Sequence, residues 1–160
     1  MAPDQTYLTT KGLQQLEEEL EQLRTIRRIE VAERIQASKG VGAMGENAEY
    51  EAAMNELAFL EGRVQELEAM IQNAVIIPNH KTAKGRSTIV GMGSIVKVES
   101  AQAKRPTTYT IVGSPEASPS DGRISNESPI GKALIGKKVG DEVEFAVPAG
   151  KQRLKVLQVR

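Results

Sequence analysis

The chain has no cysteine and no tryptophan, and of its 160 residues only three are Tyr and two are Phe. Without Cys there is no disulfide framework, no thiolate metal site and no cysteine nucleophile. Such a composition suits a reducing cytosol. So few aromatic rings leave no stacking platform of the kind that single-stranded nucleic acids use. No apolar run is long enough to cross a bilayer, and the opening residues, MAPDQTYLTTKG, lack the apolar core of a signal peptide. A soluble, cytoplasmic protein is expected. A surplus of charge is also missing, because 21 Lys+Arg offset 21 Asp+Glu. That balance hides a division. Residues 1–76 hold 7 of the bases and 14 of the acids, and residues 77–160 hold 14 and 7. An acidic half and a basic half predict two domains with different surfaces and tasks.

Residues 11–38 carry apolar side chains at helical spacing: Leu13, Leu16, Leu20, Leu23, Ile26, then Val31 and Ile35. The early steps alternate three and four, and those after Leu23 are less regular. Thr9 or Thr10 can cap the start. Residues 48–74 are cleaner, with Tyr50, Ala53, Leu57, Leu60, Val64, Leu67 and Ile71 forming an unbroken apolar seam. So narrow a stripe has to be buried against a partner helix. A connection of about ten Gly-rich residues predicts an antiparallel hairpin within one chain, and hence a monomer. The alternative is a coiled coil between chains.

Residues 77–91 read as a junction, with Pro78 and Asn79 as turn formers. The only histidine, His80, lies there without a second ligand nearby, and a linker position is its default. From residue 92 the period changes to two. Strands are predicted around Ile95–Val98, Thr108–Val112, Phe145–Val147 and Leu154–Val159. SPIGKALIG reads as a short helix, with Ser128 as cap, Pro129 in the first turn and Gly136 as stop. The expected fold class is therefore α+β: a coiled-coil hairpin over 1–76 with its tip at about 40–47, then a small, mostly antiparallel sheet domain over 92–160.

The tip, GVGAMGENAEY, turns the chain with three glycines and then places Glu46 and Glu49 at the start of the second helix, with Asn47 as the natural N-cap. Carboxylates near a helix N-terminus are favoured by the helix dipole, by ~0.3–1 kcal/mol. That alone accounts for them. The functional reading is that a slender hairpin delivers an acidic tip into a confined space. Oxygen ligands there would suit Mg²⁺, an ion that can activate water towards a phosphodiester.

The segments YLTTKGLQQLEEELEQL, GENAEYEAA, FLEGRVQELEAMIQNAVII and SPIGKALIGKKVGDEV together resemble the Gre-type (GreA-like) transcript cleavage factors of bacterial RNA polymerase. They cover nearly the whole chain in the right order. The resemblance implies an N-terminal coiled-coil hairpin and a C-terminal domain similar to FKBP-type prolyl isomerases. That likeness does not imply isomerase activity, and the scarcity of aromatics argues against a prolyl pocket. It further implies an accessory factor that is not itself an enzyme. Such a factor binds RNA polymerase, inserts the hairpin into its secondary channel, and stimulates the polymerase to cut a backtracked transcript. It has no cofactor of its own, only Mg²⁺ shared with the polymerase centre. On this reading Glu46 is the principal tip carboxylate and metal contact, and Glu49 a secondary one. Lys39, with Arg34, is the candidate contact to the nascent RNA 3′ segment, within a strip that includes Arg24, Arg27 and Arg28. A solvated face with helix ion pairs such as Glu30–Arg34 explains that strip equally. Glu127, Ser128, Pro129 and Ile130 match the polymerase-docking segment. No sequence-specific DNA binding and no membrane partner are expected.

One position departs from the family. The usual tip reads Gly-Asp-(Leu or Ile)-x-Glu-Asn-Ala-Glu-Tyr, and here Ala43 stands where the aspartate is usual. An alanine can neither ligate a metal nor take a proton from water. Cleavage stimulation is therefore expected to be weak. Three explanations stay open: an inactivated variant, a channel-blocking homologue that inhibits transcription, or sufficiency of Glu46 and Glu49.

Overall fold

The computed structural model describes residues 5–39, 47–77 and 88–160. The chain divides into two compact units, one of residues 1–3 and 13–73, the other of residues 4–12 and 74–160. The contact boundaries thus fall after residues 12 and 73, and residues 4–12 group with the C-terminal half. The junction region 78–87, including His80, lies outside the described residues.

The first unit is a pair of helices. Helix α1 (Thr10–Gln22) runs through a single π-helical stretch (Leu23–Arg27) into α2 (Arg28–Ser38), and α3 (Ala48–Gln72) returns. On α3 the seam is as the spacing predicts: Ala53, Leu60 and Leu67 are buried, and Tyr50, Leu57, Val64 and Ile71 are half-buried. On the first strand of the hairpin Leu16 and Val31 are buried, but Ile26, expected in the seam, is 57% exposed. The π stretch is the reason. Leu23 and Val31 are eight residues apart, one more than two turns allow, and a π turn absorbs the extra residue so that both can face α3. Ile26 lies inside that stretch and turns outward.

Ion pairs across the hairpin match an antiparallel pairing: Glu19 with Arg63 (2.8 Å), Arg24 with Glu68, Arg28 with Glu61 (3.9 Å), Arg27 with Glu56 (3.0 Å) and Arg34 with Glu56. Glu19 and Arg24, early in the first arm, meet residues 63 and 68, and Arg27, Arg28 and Arg34, later in it, meet residues 56 and 61, the trend of an antiparallel pair. The partner of the seam is therefore the same chain. Hydrogen bonds from Arg63 to Glu19 and then Glu66 hold its guanidinium's pKa above the ordinary value, so it stays charged throughout the working range. These pairs are half-exposed, and each contributes ~0–1 kcal/mol. The apolar seam carries the stability, and the pairs set the register.

In the second unit five strands form one sheet. They are β3 (Ile95–Ser100), β4 (Pro106–Val112), β5 (Arg123–Ser125), β6 (Glu142–Val147) and β7 (Gly150–Val159), in the order β5-β4-β3-β7-β6. All neighbours are antiparallel except β4 and β5. The short β5 and its parallel pairing were not foreseen, because three residues carry no readable period. Alternation puts Val96, Val98, Val143, Phe145, Leu154 and Val156 on one face, where Ile111 and Leu134 close the core. Leu134 comes from helix α4 (Pro129–Leu134), which ends where Gly136 takes a left-handed φ of 82°.

Two further strands were missed. β1 (Thr6–Leu8) pairs in parallel with β2 (Ala74–Ile76), and the Ile77 N–H extends the pairing to the Leu8 carbonyl at 2.7 Å. Next to them Glu116 is nearly buried, with 7% of its side chain exposed. It accepts hydrogen bonds from the Thr9 N–H and Oγ1, both at 2.7 Å, and from Arg123 at 3.1 Å. Thr9 Oγ1 in turn accepts from the Gly12 N–H at 3.0 Å, so Thr9, not Thr10, caps α1. A side chain at position 12 would meet Glu116, its Cβ falling 2.3 Å from the carboxyl carbon. Gly12 is therefore a packing requirement, and its cost to helix propensity is secondary.

Candidate functional site

Helix α2 ends with Ser38 buried in the seam, its hydroxyl donating to the Ile35 carbonyl at 2.9 Å. Lys39 follows as the C-cap residue and is exposed. Residues 40–46 lie outside the described residues, so the positions of Ala43 and Glu46 are not part of this geometry. The chain resumes at Asn47, which caps α3 as predicted by accepting from the Tyr50 N–H at 3.1 Å. Its amide also donates to the Ser38 carbonyl. One side chain thus closes the start of α3 and ties it to the end of α2. Glu49 sits in the first turn of α3, exposed, where the N-terminal dipole favours a carboxylate.

The basic strip is mostly engaged. Arg34 and Arg27 converge on Glu56, Arg24 reaches Glu68, and Arg28 approaches Glu61. The pair named from sequence, Glu30 with Arg34, is replaced by Glu30 with Arg27 at 2.8 Å. Arg27 and Arg34 share Glu56 and Arg27 also holds Glu30, so the two guanidiniums are matched by two carboxylates. Lys39 has no ion pair with any described residue, and of this strip it is the most available to a phosphate.

The candidate docking segment is a tight turn leading into α4. Ser128 Oγ accepts from the Gly131 N–H at 3.0 Å and donates to the Ser125 carbonyl at 2.6 Å. Pro129 occupies the first helical turn. Glu127 is exposed and accepts from Ser114, whose hydroxyl also meets that of Ser125 at 2.8 Å. Ile130 is half-buried and packs against the core. Of the four, Glu127 and Pro129 face solvent, Ser128 holds the turn together, and Ile130 belongs partly to the interior.

Glu46, the metal contact named from the sequence, lies outside the described residues. Among the described residues no group of three or more His, Cys, Asp or Glu could hold an ion. A lone exposed Glu49 offers at most two of the roughly six oxygens that Mg²⁺ takes. No described helix is long and apolar enough to cross a membrane.

Family models match both halves. Residues 6–76 match the model described as "Transcription elongation factor, N-terminal", and residues 85–160 the one described as "Transcription elongation factor, GreA/GreB, C-term". The chain belongs to the GreA/GreB family of transcription elongation factors. It is 50% identical over 153 residues to transcription elongation factor GreA of Thermoanaerobacter pseudethanolicus, covering 96% of each chain. It is 47% identical over 161 residues to GreA of Bacillus cereus, covering all of both. Among solved structures, the GreA factor homolog 1 (Gfh1) protein of Thermus thermophilus is 29% identical, with 98% of this chain and 99% of that one covered and a TM-score of 0.43.

In this GreA/GreB family member the residues that sequence reasoning missed are the ones that brace the site. Asn47 was read as a cap and not as a tie to Ser38. Ser38 is a polar residue in an apolar seam, and its step of three from Ile35 was the available signal. The interhelical partners of Arg24, Arg27 and Arg34 were also missed, because they lie 44, 29 and 22 residues away.

Proposed function

We propose that this chain is an elongation factor of GreA type that binds bacterial RNA polymerase and places its hairpin in the secondary channel, close to the nascent RNA 3′ end. The observation that carries the reading is the antiparallel hairpin. A narrow two-helix element, held in register by Arg–Glu pairs, is joined by residues 40–46 to a capped α3. Such an element can present the residues of its turn in a space too confined for a globular domain. The chain acts as an accessory factor, in the cytoplasm, and the polymerase supplies the catalytic centre. Glu46, just before the Asn47 cap, is the tip carboxylate, with Glu49 as a secondary contributor. Either would add oxygens to a Mg²⁺ ion that the polymerase holds. Lys39, with Arg34, faces the transcript, and the Glu127–Ile130 turn docks on the polymerase.

Ala43 favours a second reading, in which the hairpin occupies the channel and inhibits transcription. A purified polymerase stalled on a backtracked transcript separates the two. The expected result is binding with little acceleration of cleavage, and a clear increase on Ala43→Asp. Brisk cleavage by the unaltered chain would refute the role assigned to position 43. Slowed elongation that Ala43→Asp does not relieve would favour the inhibitor.

A further inference from the structure

Strands β3 and β7 are out of step by one residue. Lys97 pairs with Gln158 and Val98 with Val156, so Leu157 has no partner on β3. The extra residue of the bulge is what returns Val159 to the core, and alternation from the buried Leu154 and Val156 already sets Leu157 outward, 37% exposed. Beside it lies an open groove of about 630 Å³, lined by Leu157, Val139, Thr88, Lys97 and Lys138. Val139 is 53% exposed. A second hollow shares Lys97 and Gln158 and continues past Ile95 and Arg160. Neither lining includes a carboxylate side chain.

Elsewhere on the same sheet, bases stand opposite acids. Glu144 takes both Arg153 (2.9 Å) and Lys151 (3.2 Å), and those contacts, Arg153 first, hold its carboxyl below the ordinary value. Lys155 lies between Glu142 and Glu99 in the ladder. Lys97 instead lies between Thr108 and Gln158, both neutral. Neither Lys97 nor Lys138 forms an ion pair with any described residue. The nearby Asp141 carboxylate accepts from the Lys138 backbone N–H at 2.8 Å and lies within ion-pair distance of no described cation. Uncompensated ammonium groups around the exposed aliphatic side chains of Leu157 and Val139 make a surface complementary to an acidic segment with an aliphatic anchor. Nucleic acid fits it less well, because its lining holds no aromatic ring and includes Leu157, Val139 and Val159.

We propose that this groove is a second contact of the basic unit with the polymerase, distinct from the Glu127–Ile130 turn, and that it receives an acidic protein segment carrying an aliphatic side chain. The proposal rests on the polymerase-binding reading above. The test measures affinity of the full chain for purified bacterial core RNA polymerase, comparing wild type with Lys97→Glu, Lys138→Glu, the double variant and Leu157→Asp. Arg105→Glu, an exposed site outside the groove with the same change of charge, is the control. The double variant should bind about tenfold more weakly at low salt, with a smaller loss at high salt, and the control within about twofold of wild type. Thermal midpoints of the lysine variants should not move, since both side chains are exposed and without an ion pair. Groove variants that bind like the control would overturn the proposal and leave polymerase binding intact. A wild-type chain that does not bind would overturn both. Binding of a single-stranded RNA oligonucleotide that depends on Lys97 and Lys138, with polymerase affinity unchanged, would make this an RNA surface and overturn the protein partner.

Discussion

At the scale of single residues, two glycines in helices have opposite roles, and the sequence does not distinguish them. Gly131 lies in α4, where an added Cβ would fall 2.0 Å from the Ser125 carbonyl oxygen. That oxygen already accepts from Ser128 Oγ and the Ser128 N–H, so it is not free to move. Ala is the better helix former by about 1 kcal/mol, but overpacking against backbone costs about 1–3 kcal/mol or more. The clash should win. Gly131→Ala is expected to lower the thermal midpoint by roughly 10 °C, given ~4–8 °C per kcal/mol for a unit of this size. Gly62, in the middle of α3, has nothing within 4 Å of such a Cβ. There propensity acts alone, and Gly62→Ala should raise the stability of the hairpin by up to ~1 kcal/mol. Thermal unfolding of the two variants beside wild type checks both signs. If both moved the same way, the close approach at Ser125 would not be what fixes Gly131.

At the scale of elements, the hairpin was legible because its information is local and periodic. Seven seam positions on α3 repeat without a break, and Asn47 and Ser128 stand where caps stand. What could not be read depends on residues far apart in the chain. The π stretch follows from needing both Leu23 and Val31 against α3, and the irregular spacing signalled it without naming the remedy. β1 and β2 have three residues each, too few to show a period, and their pairing spans 68 positions from Thr6 to Ala74. Of the site itself, the cap was readable and the brace was not, since the Ser38 carbonyl belongs to the other helix. The bonds of Asn47 to Tyr50 and to Ser38 can be dissected. Asn47→Ala removes both, and a lost cap costs about 1 kcal/mol. Amide exchange at Tyr50 should then speed up by roughly fivefold, the factor that 1 kcal/mol gives through local opening. Asn47→Asp keeps the acceptor for Tyr50 and loses the donor to Ser38. It should leave Tyr50 protected while reducing any activity that depends on how the turn is held. Equal loss of Tyr50 protection in the two variants would mean that the tie to Ser38, and not the cap, holds the first turn of α3.

At the scale of the whole molecule, the proposed function gives the acidic and basic halves separate tasks, and separate tasks should be separable in measurement. In the proposed function, the second unit sets how tightly the factor is held and the hairpin turn sets what happens once it is held. A defect in docking then changes the concentration needed for effect, and a defect at position 43 changes the size of the effect. Ser128→Ala removes a cap that fixes the docking turn, a loss of about 1 kcal/mol locally. If that turn carries polymerase contacts, affinity should fall several-fold, since 1.4 kcal/mol corresponds to a factor of ten. Placed in an Ala43→Asp background, Ser128→Ala should shift the half-saturating concentration for transcript cleavage upward by that factor and leave the plateau rate unchanged. Ala43→Asp alone should raise the plateau and leave the half-saturating concentration within about twofold. A titration of factor against a backtracked polymerase reads both quantities in one experiment. Should Ser128→Ala lower the plateau as well, the docking turn would influence how the carboxylates at the hairpin turn are presented, and the division of labour between the two halves would have to be abandoned.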